Sequence, residues 1–145
     1  MDVAQIRDLC LDAERLYAEG KVDAARIAAA AAVALGRADA KGRAHYAPGL
    51  ALTAVGTLAA EKGDTAAARA AFDEAVAIAR VIREDDPEHA LAILTHAASF
   101  LRASGEKSRA AGLENESLAL LGEAIGTDHL RYQQAKARLA TRPES

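Results

Sequence analysis

Three glycines recur along this 145-residue chain at an almost constant interval. Gly20 and Gly63 are 43 residues apart, and Gly63 and Gly105 are 42 apart. Each glycine lies between two stretches rich in alanine and leucine, which are strong helix formers. Glycine ends helices because it adopts left-handed backbone conformations without steric cost. The spacing therefore predicts three helical hairpins, each with one of these glycines at its turn.

Residues at fixed distances from the glycines support this repeat. Leucine lies eleven residues before each glycine, a small residue seven before, and alanine five after. In chain order these positions hold Leu9, Leu52 and Leu94; Ala13, Gly56 and Ala98; and Ala25, Ala68 and Ala110. A small residue on each helix of a pair lets the two helices cross at close range. The hairpins are therefore expected to cross at these positions.

The helical pattern accounts for the whole chain. Alanine makes up about a quarter of the residues, and little of the sequence alternates as strands do. We predict an all-α fold of about seven helices in one domain. The three repeats span residues 3–40, 44–83 and 87–123, and a final helix spans about 127–141.

Local signals mark several helix boundaries. The first repeat's second helix is expected to end near Arg37, before a loose connection. Asp64 or Thr65 can cap the fourth helix, and Pro87 suits the first turn of the fifth. Residues 126–128, Gly-Thr-Asp, are expected to cap the last helix.

Charge and cysteine content exclude several classes of protein. The net charge is −3 with both signs interspersed, whereas nucleic-acid binding needs concentrated Lys and Arg. Cys10 is the only cysteine, so no internal disulfide forms and a reducing cytoplasm is expected. The start of the chain lacks a signal peptide's apolar core. The longest apolar run, Ile27 to Leu35, is too short to span a bilayer. We expect a soluble cytoplasmic protein that binds neither nucleic acid nor membranes.

The repeat resembles the tetratricopeptide repeat (TPR), whose signature is W-x2-L-G-x2-Y, A-x3-F and P. The middle unit is most similar, with L-x2-V-G-x2-A from Leu52 and A-x3-F from Ala68. The period of about 42 exceeds the usual 34, Pro87 comes seven residues late, and Ala29 and Glu114 replace the phenylalanine in the outer units. The longer repeat resembles those of kinesin light chains. The resemblance covers nearly the whole chain.

This resemblance implies a right-handed superhelical stack of three TPR-like repeats with a C-terminal capping helix. Such repeats bury their apolar faces only by stacking, and the last one needs a polar cover. In the final helix, Leu130, Ala135 and Leu139 are expected to pack inward while its basic residues stay in water.

In that architecture the first helices of the repeats line a concave groove. The predicted groove residues are Arg7, Cys10, Leu11, Glu14, Tyr17, Leu50, Thr53, Thr57, Glu61, Thr95, His96, Ser99 and Arg102. They lack the Lys/Asn cluster with which some TPR domains hold a terminal carboxylate, because the matching positions are Cys10, Glu14 and Ala54. Tyr17 is either an energetic contact for a partner or packs against the second repeat.

No sequence motif indicates catalysis, a metal site or a cofactor. His89 and His96 are seven residues apart, about 10 Å along a helix, which is too far for one metal ion. No local pattern supports Cys10 as a nucleophile, and the glycines match no phosphate-binding loop. Neighbouring acids such as Asp85 and Asp86 more often stabilise a helix end.

The expected function is therefore that of a non-catalytic scaffold that binds a protein or peptide on its concave face. The alternative is a structural module that self-associates through its end repeats into a homo-oligomer. An enzyme ranks third.

Overall fold

The computed structural model describes residues 3–40 and 46–141, and there it confirms the all-α prediction. These residues form seven helices and no strand. The helices are α1 (Val3–Ala18), α2 (Val22–Ala40), α3 (Tyr46–Glu61), α4 (Thr65–Ile82), α5 (Pro87–Ala103), α6 (Lys107–Ile125) and α7 (Leu130–Ala140). Helix α2 continues past Arg37, where the sequence predicted its end. The predicted connection after it includes residues 41–45, which lie outside the described residues.

The three repeat glycines end α1, α3 and α5 in the same way. Gly20, Gly63 and Gly105 have φ angles of 79°, 80° and 85°. Each donates its backbone N–H to the carbonyl three residues earlier, and the next residue donates to the carbonyl five residues earlier, at 2.8–3.1 Å. This is the Schellman motif, which favours glycine because a side chain is strained at positive φ. The prediction of three glycine turns is confirmed.

The small residues predicted at the helix crossings are buried. Ala25, Ala68 and Ala110 are all 0% exposed. In the second hairpin, a methyl group at Gly56 would lie 2.8 Å from Cε2 of the buried Phe72 ring. Helices α3 and α4 therefore approach closely only because residue 56 has no side chain.

The chain divides by its internal contacts into two compact units, residues 1–78 and 79–145. In the first unit, α1 packs against α2 and α3, and Ile6 is among its most buried side chains. In the second unit, α6 packs against α5 and α7 around Ile93, Leu94 and Leu120, each at most 1% exposed. The division falls within α4, not between two of the predicted repeats.

Side-chain caps begin α4 and α5 as expected. Asp64 Oδ1 accepts a hydrogen bond from the Ala67 backbone N–H at 3.1 Å. Asp86 caps α5 by accepting from the His89 backbone N–H at 3.3 Å, and Pro87 lies in the first turn. These contacts satisfy backbone donors that a helix start leaves without intrahelical partners.

The start of α7 differs from the prediction. Gly126, at φ 90°, ends α6, and the cap of α7 is His129, whose Nδ1 accepts from the Arg131 backbone N–H at 3.1 Å. The predicted Gly-Thr-Asp cap is therefore wrong. A histidine ring nitrogen accepts this bond as a carboxylate would, so α7 begins at Leu130.

Helix α7 belongs to the second unit, and only part of one of its faces is covered. No residue of α7 is buried, and Leu130, predicted to pack inward, is 68% exposed. Ala135 and Leu139 are partly buried. The Tyr132 ring packs over Gly122, where an added Cβ would lie 2.9 Å from its Cε2. The contact with α6 therefore depends on Tyr132 and not on Leu130.

Across the described residues, no helix combines the length and the apolar character that crossing a bilayer requires.

Candidate functional site

The predicted groove residues of α1 recur at three- and four-residue steps, which place them on one side of the helix. Leu11 is 55% exposed, and Arg7 and Glu14 are also exposed. Cys10 and Tyr17 are partly buried. This side of α1 therefore offers apolar, aromatic and charged groups together.

Tyr17 joins this side of α1 to the end of α3. Its ring packs against a buried cluster that includes Ala13, Ala29 and Leu58. Hydrogen bonding to the Glu61 carboxylate is the largest cause of the raised pKa of Tyr17, followed by burial. Tyr17 therefore packs against the second repeat, as one of the two alternatives expected, and it also stays partly exposed. We call Leu11, Glu14, Tyr17 and Glu61 the Tyr17 face.

Cys10 borders the Tyr17 face. Burial, and then the negative charge of Glu14, raise the pKa of its thiol to about 11. The thiol therefore stays protonated at neutral pH, where a thiolate would be needed for nucleophilic attack.

The threonines predicted to line the groove use their hydroxyl hydrogens within their own helices. Thr53 Oγ1 donates to the Leu50 carbonyl at 2.7 Å, and Thr57 Oγ1 donates to the Thr53 carbonyl at 2.8 Å. Thr53 is only 7% exposed, so its predicted place on an open surface is wrong. Thr53 can be buried because the hydrogen bond to the Leu50 carbonyl satisfies its hydroxyl. Leu50 is partly buried and Thr57 is exposed.

In the second unit, the predicted groove residues of α5 differ in availability. Thr95, His96 and Ser99 are exposed, although Thr95 Oγ1 donates to the Leu91 carbonyl at 2.8 Å. Arg102 is paired with Glu114 of α6, and the two side chains are 22% and 15% exposed. Arg102, predicted to line the groove, therefore already has an acidic partner within the second unit.

The sequence analysis did not identify Glu114 as the partner of Arg102, although the sequence contains an indication of such a pair. Glu114 occupies the repeat position that holds Phe72 in the second hairpin. An acid at a position that is otherwise apolar indicates that a base lies nearby, because half-buried charges need partners.

The first unit also contains an open cleft of about 320 Å³. It is lined by residues of α2, α3 and the start of α4, namely Arg26, Ile27, Ala29, Ala30, Val55, Ala59, Lys62, Asp64 and Ala67. Ala29 stands at the position of Phe72, so the first hairpin lacks the aromatic ring that fills the second. Lys62, one of the residues that line the cleft, pairs with Asp23 of α2 at 2.6 Å.

The histidines and acids form no cluster suited to a metal ion within residues 3–40 and 46–141. His89 Nδ1 lies 2.5 Å from Asp86 Oδ2, which fixes the ring against the cap of its own helix. His96 is exposed.

Comparison of the chain with family models, with curated proteins and with solved structures gave no match.

Proposed function

We propose that this protein is a non-catalytic scaffold, similar to TPR proteins, that binds a protein or peptide on the side formed by its first helices. The observation that carries the proposal is the Tyr17 face. The Tyr17 ring packs on a buried cluster and its hydroxyl interacts with Glu61. Leu11 and Glu14 are exposed on the same side of α1. Tyrosine held in this way offers contact area at low entropic cost and is a favoured binding hot spot.

Arg102 is not part of the proposed binding surface, because it is already paired with Glu114. We therefore restrict the proposed contact to α1 and α3 of the first unit. We infer the cytoplasm as the compartment, since a single cysteine, Cys10, suits a reducing environment.

Selection of peptides from a random displayed library on the full chain tests the proposal. Tyr17→Ala should weaken binding of the selected peptides by about 1–3 kcal/mol. Tyr132→Ala removes another partly buried tyrosine and is the matched control, which should leave affinity unchanged. A library without binders, or peptides equally sensitive to both variants, would contradict the proposal.

A second candidate function is self-association through the C-terminal end. The supporting observation is that α7 has no buried residue and that Leu130 is 68% exposed. Sedimentation velocity over a range of concentrations should then show a dimer or larger species, and Leu130→Gln should return it to monomer. A monomer at the highest soluble concentration would exclude this function.

A further inference from the structure

Two carboxylates of the Tyr17 face lack a basic partner within residues 3–40 and 46–141. Among the residues that the structure describes, neither Glu14 nor Glu61 forms an ion pair with Lys or Arg. Glu61 interacts with the Tyr17 hydroxyl, and the charge of Glu14 acts on the Cys10 thiol. Neither interaction neutralises a negative charge.

The Lys and Arg residues closest in sequence to Glu14 and Glu61 form ion pairs with other acids. Lys62 follows Glu61 directly but pairs with Asp23 of α2 at 2.6 Å. Arg15 follows Glu14 directly but pairs with Glu19 at 3.2 Å. Within the described residues, no base therefore compensates the negative charge of the Tyr17 face, whereas Asp12 of α1 pairs with Arg15 at 3.7 Å.

The ends of two helices add to this negative potential. Glu14 and Tyr17 lie near the C-terminus of α1, and Glu61 is the last residue of α3. Helix C-termini carry partial negative charge and favour cations. The last turn of α3 contains no basic residue to offset it.

The apolar part of the face suits the stem of a long basic side chain. Leu11 is 55% exposed and lies on the same side of α1 as the partly exposed Tyr17 ring. Lysine and arginine lay their aliphatic stems on apolar surface while the charge meets acids, and their cations also favour aromatic faces.

We propose that the Tyr17 face binds a partner's peptide segment through a Lys or Arg side chain, whose stem lies on Tyr17 and whose cation lies beside Glu14 and Glu61, while Leu11 contacts a neighbouring residue of the segment. The inference rests on the proposed peptide-binding function and specifies its partner. Arg7 does not occupy this position, since it lies seven residues from Glu14, about 10 Å along the helix axis.

The peptides selected on the full chain provide the test. They should be enriched in Lys and Arg, and exchange of the critical base for Gln in a synthetic peptide should abolish most of the binding in fluorescence anisotropy. Glu14→Gln and Glu61→Gln should each weaken binding by about two- to fivefold, as exposed ion pairs do. Raising salt from about 0.05 to 0.5 M should weaken it further.

Asp12→Asn is the matched control, because it removes the same charge from the opposite side of α1. Its exposed contact with Arg15 is long, at 3.7 Å, so the fold should tolerate the change. Equal losses for Asp12→Asn and Glu14→Gln would overturn the inference, because they would indicate a response to net charge alone.

The outcomes also separate the inference from the function on which it rests. Peptides that lose affinity for Tyr17→Ala but contain no essential Lys or Arg would overturn the cationic partner and keep the binding surface. Peptides insensitive to Tyr17→Ala would overturn both.

Discussion

Replacing Gly56 by alanine tests the close approach of α3 and α4. The new methyl group would lie 2.8 Å from Cε2 and 2.9 Å from Cδ2 of Phe72. Because Phe72 is only 4% exposed, its ring has little room to move. Overpacking of this kind costs about 1–3 kcal/mol, while alanine in place of glycine within a helix returns about 0.8–1 kcal/mol. The expected net result is a loss of about 0–2 kcal/mol of unfolding free energy.

Gly112 is the matched control for helix propensity. It is exposed within α6, and a methyl group there would meet no atom within 4 Å. Gly112→Ala should therefore stabilise the chain by about 1 kcal/mol in urea unfolding followed by circular dichroism. The two substitutions should differ by about 1–3 kcal/mol, which is the cost of the contact with Phe72.

Making Gly56→Ala in a chain that also carries Phe72→Leu shows whether the Phe72 ring causes the penalty. In that background the Gly56→Ala penalty should largely disappear, because the methyl group no longer meets the ring. If Gly56→Ala stabilises the original chain as much as Gly112→Ala does, the close approach is absent and the reasoning fails.

Two further predictions concern Cys10 and α7. Because the pKa of Cys10 is raised from 9.0 to about 11, its alkylation, followed by mass spectrometry, should accelerate only towards pH 11, and Glu14→Gln should speed it. The thiol ionises at lower pH in the unfolded chain than in the folded one, so the contribution of Cys10 to stability should be lost between pH 9.0 and about 11. An ordinary alkylation rate near pH 9.0 would contradict the raised pKa. Tyr132→Ala should release α7 from Gly122 and speed tryptic cleavage within α7, whereas unchanged cleavage would show that other contacts hold the helix.

The repeated turns could be predicted from sequence because their cause is local. A glycine that ends a helix needs positive φ, and an alanine at a fixed distance from it needs a crossing partner. Both requirements appear as spacing in the chain, and Gly63 with Ala68 meets them in the structure. The repeat period and the composition are therefore sufficient to predict the turns and the helix crossings.

The burial and the hydrogen-bond partners of polar side chains could not be predicted from residue spacing. Thr53 is buried because its own helix satisfies its hydroxyl, an option that the helical period does not reveal. The exposure of Leu130, by contrast, follows from spacing, because nine residues put it about 180° around α7 from the partly buried Leu139. The α1 residues of the Tyr17 face could be grouped from sequence, because their spacing places them on one side of the helix.

The ion pair of Arg102 and Glu114 gives a test of how an acid can replace phenylalanine at the repeat position of Phe72. Both side chains are largely buried, so Glu114→Ala should cost about 2–3 kcal/mol, somewhat less than the loss of a fully buried partner. Replacing both charges, as Arg102→Met with Glu114→Leu, should restore most of this stability, because apolar groups of similar volume often substitute for buried pairs without loss. Urea unfolding of the single and double variants measures the coupling. If the double variant is no more stable than Glu114→Ala, the pair stabilises the fold in its own right and the position does not tolerate an apolar replacement.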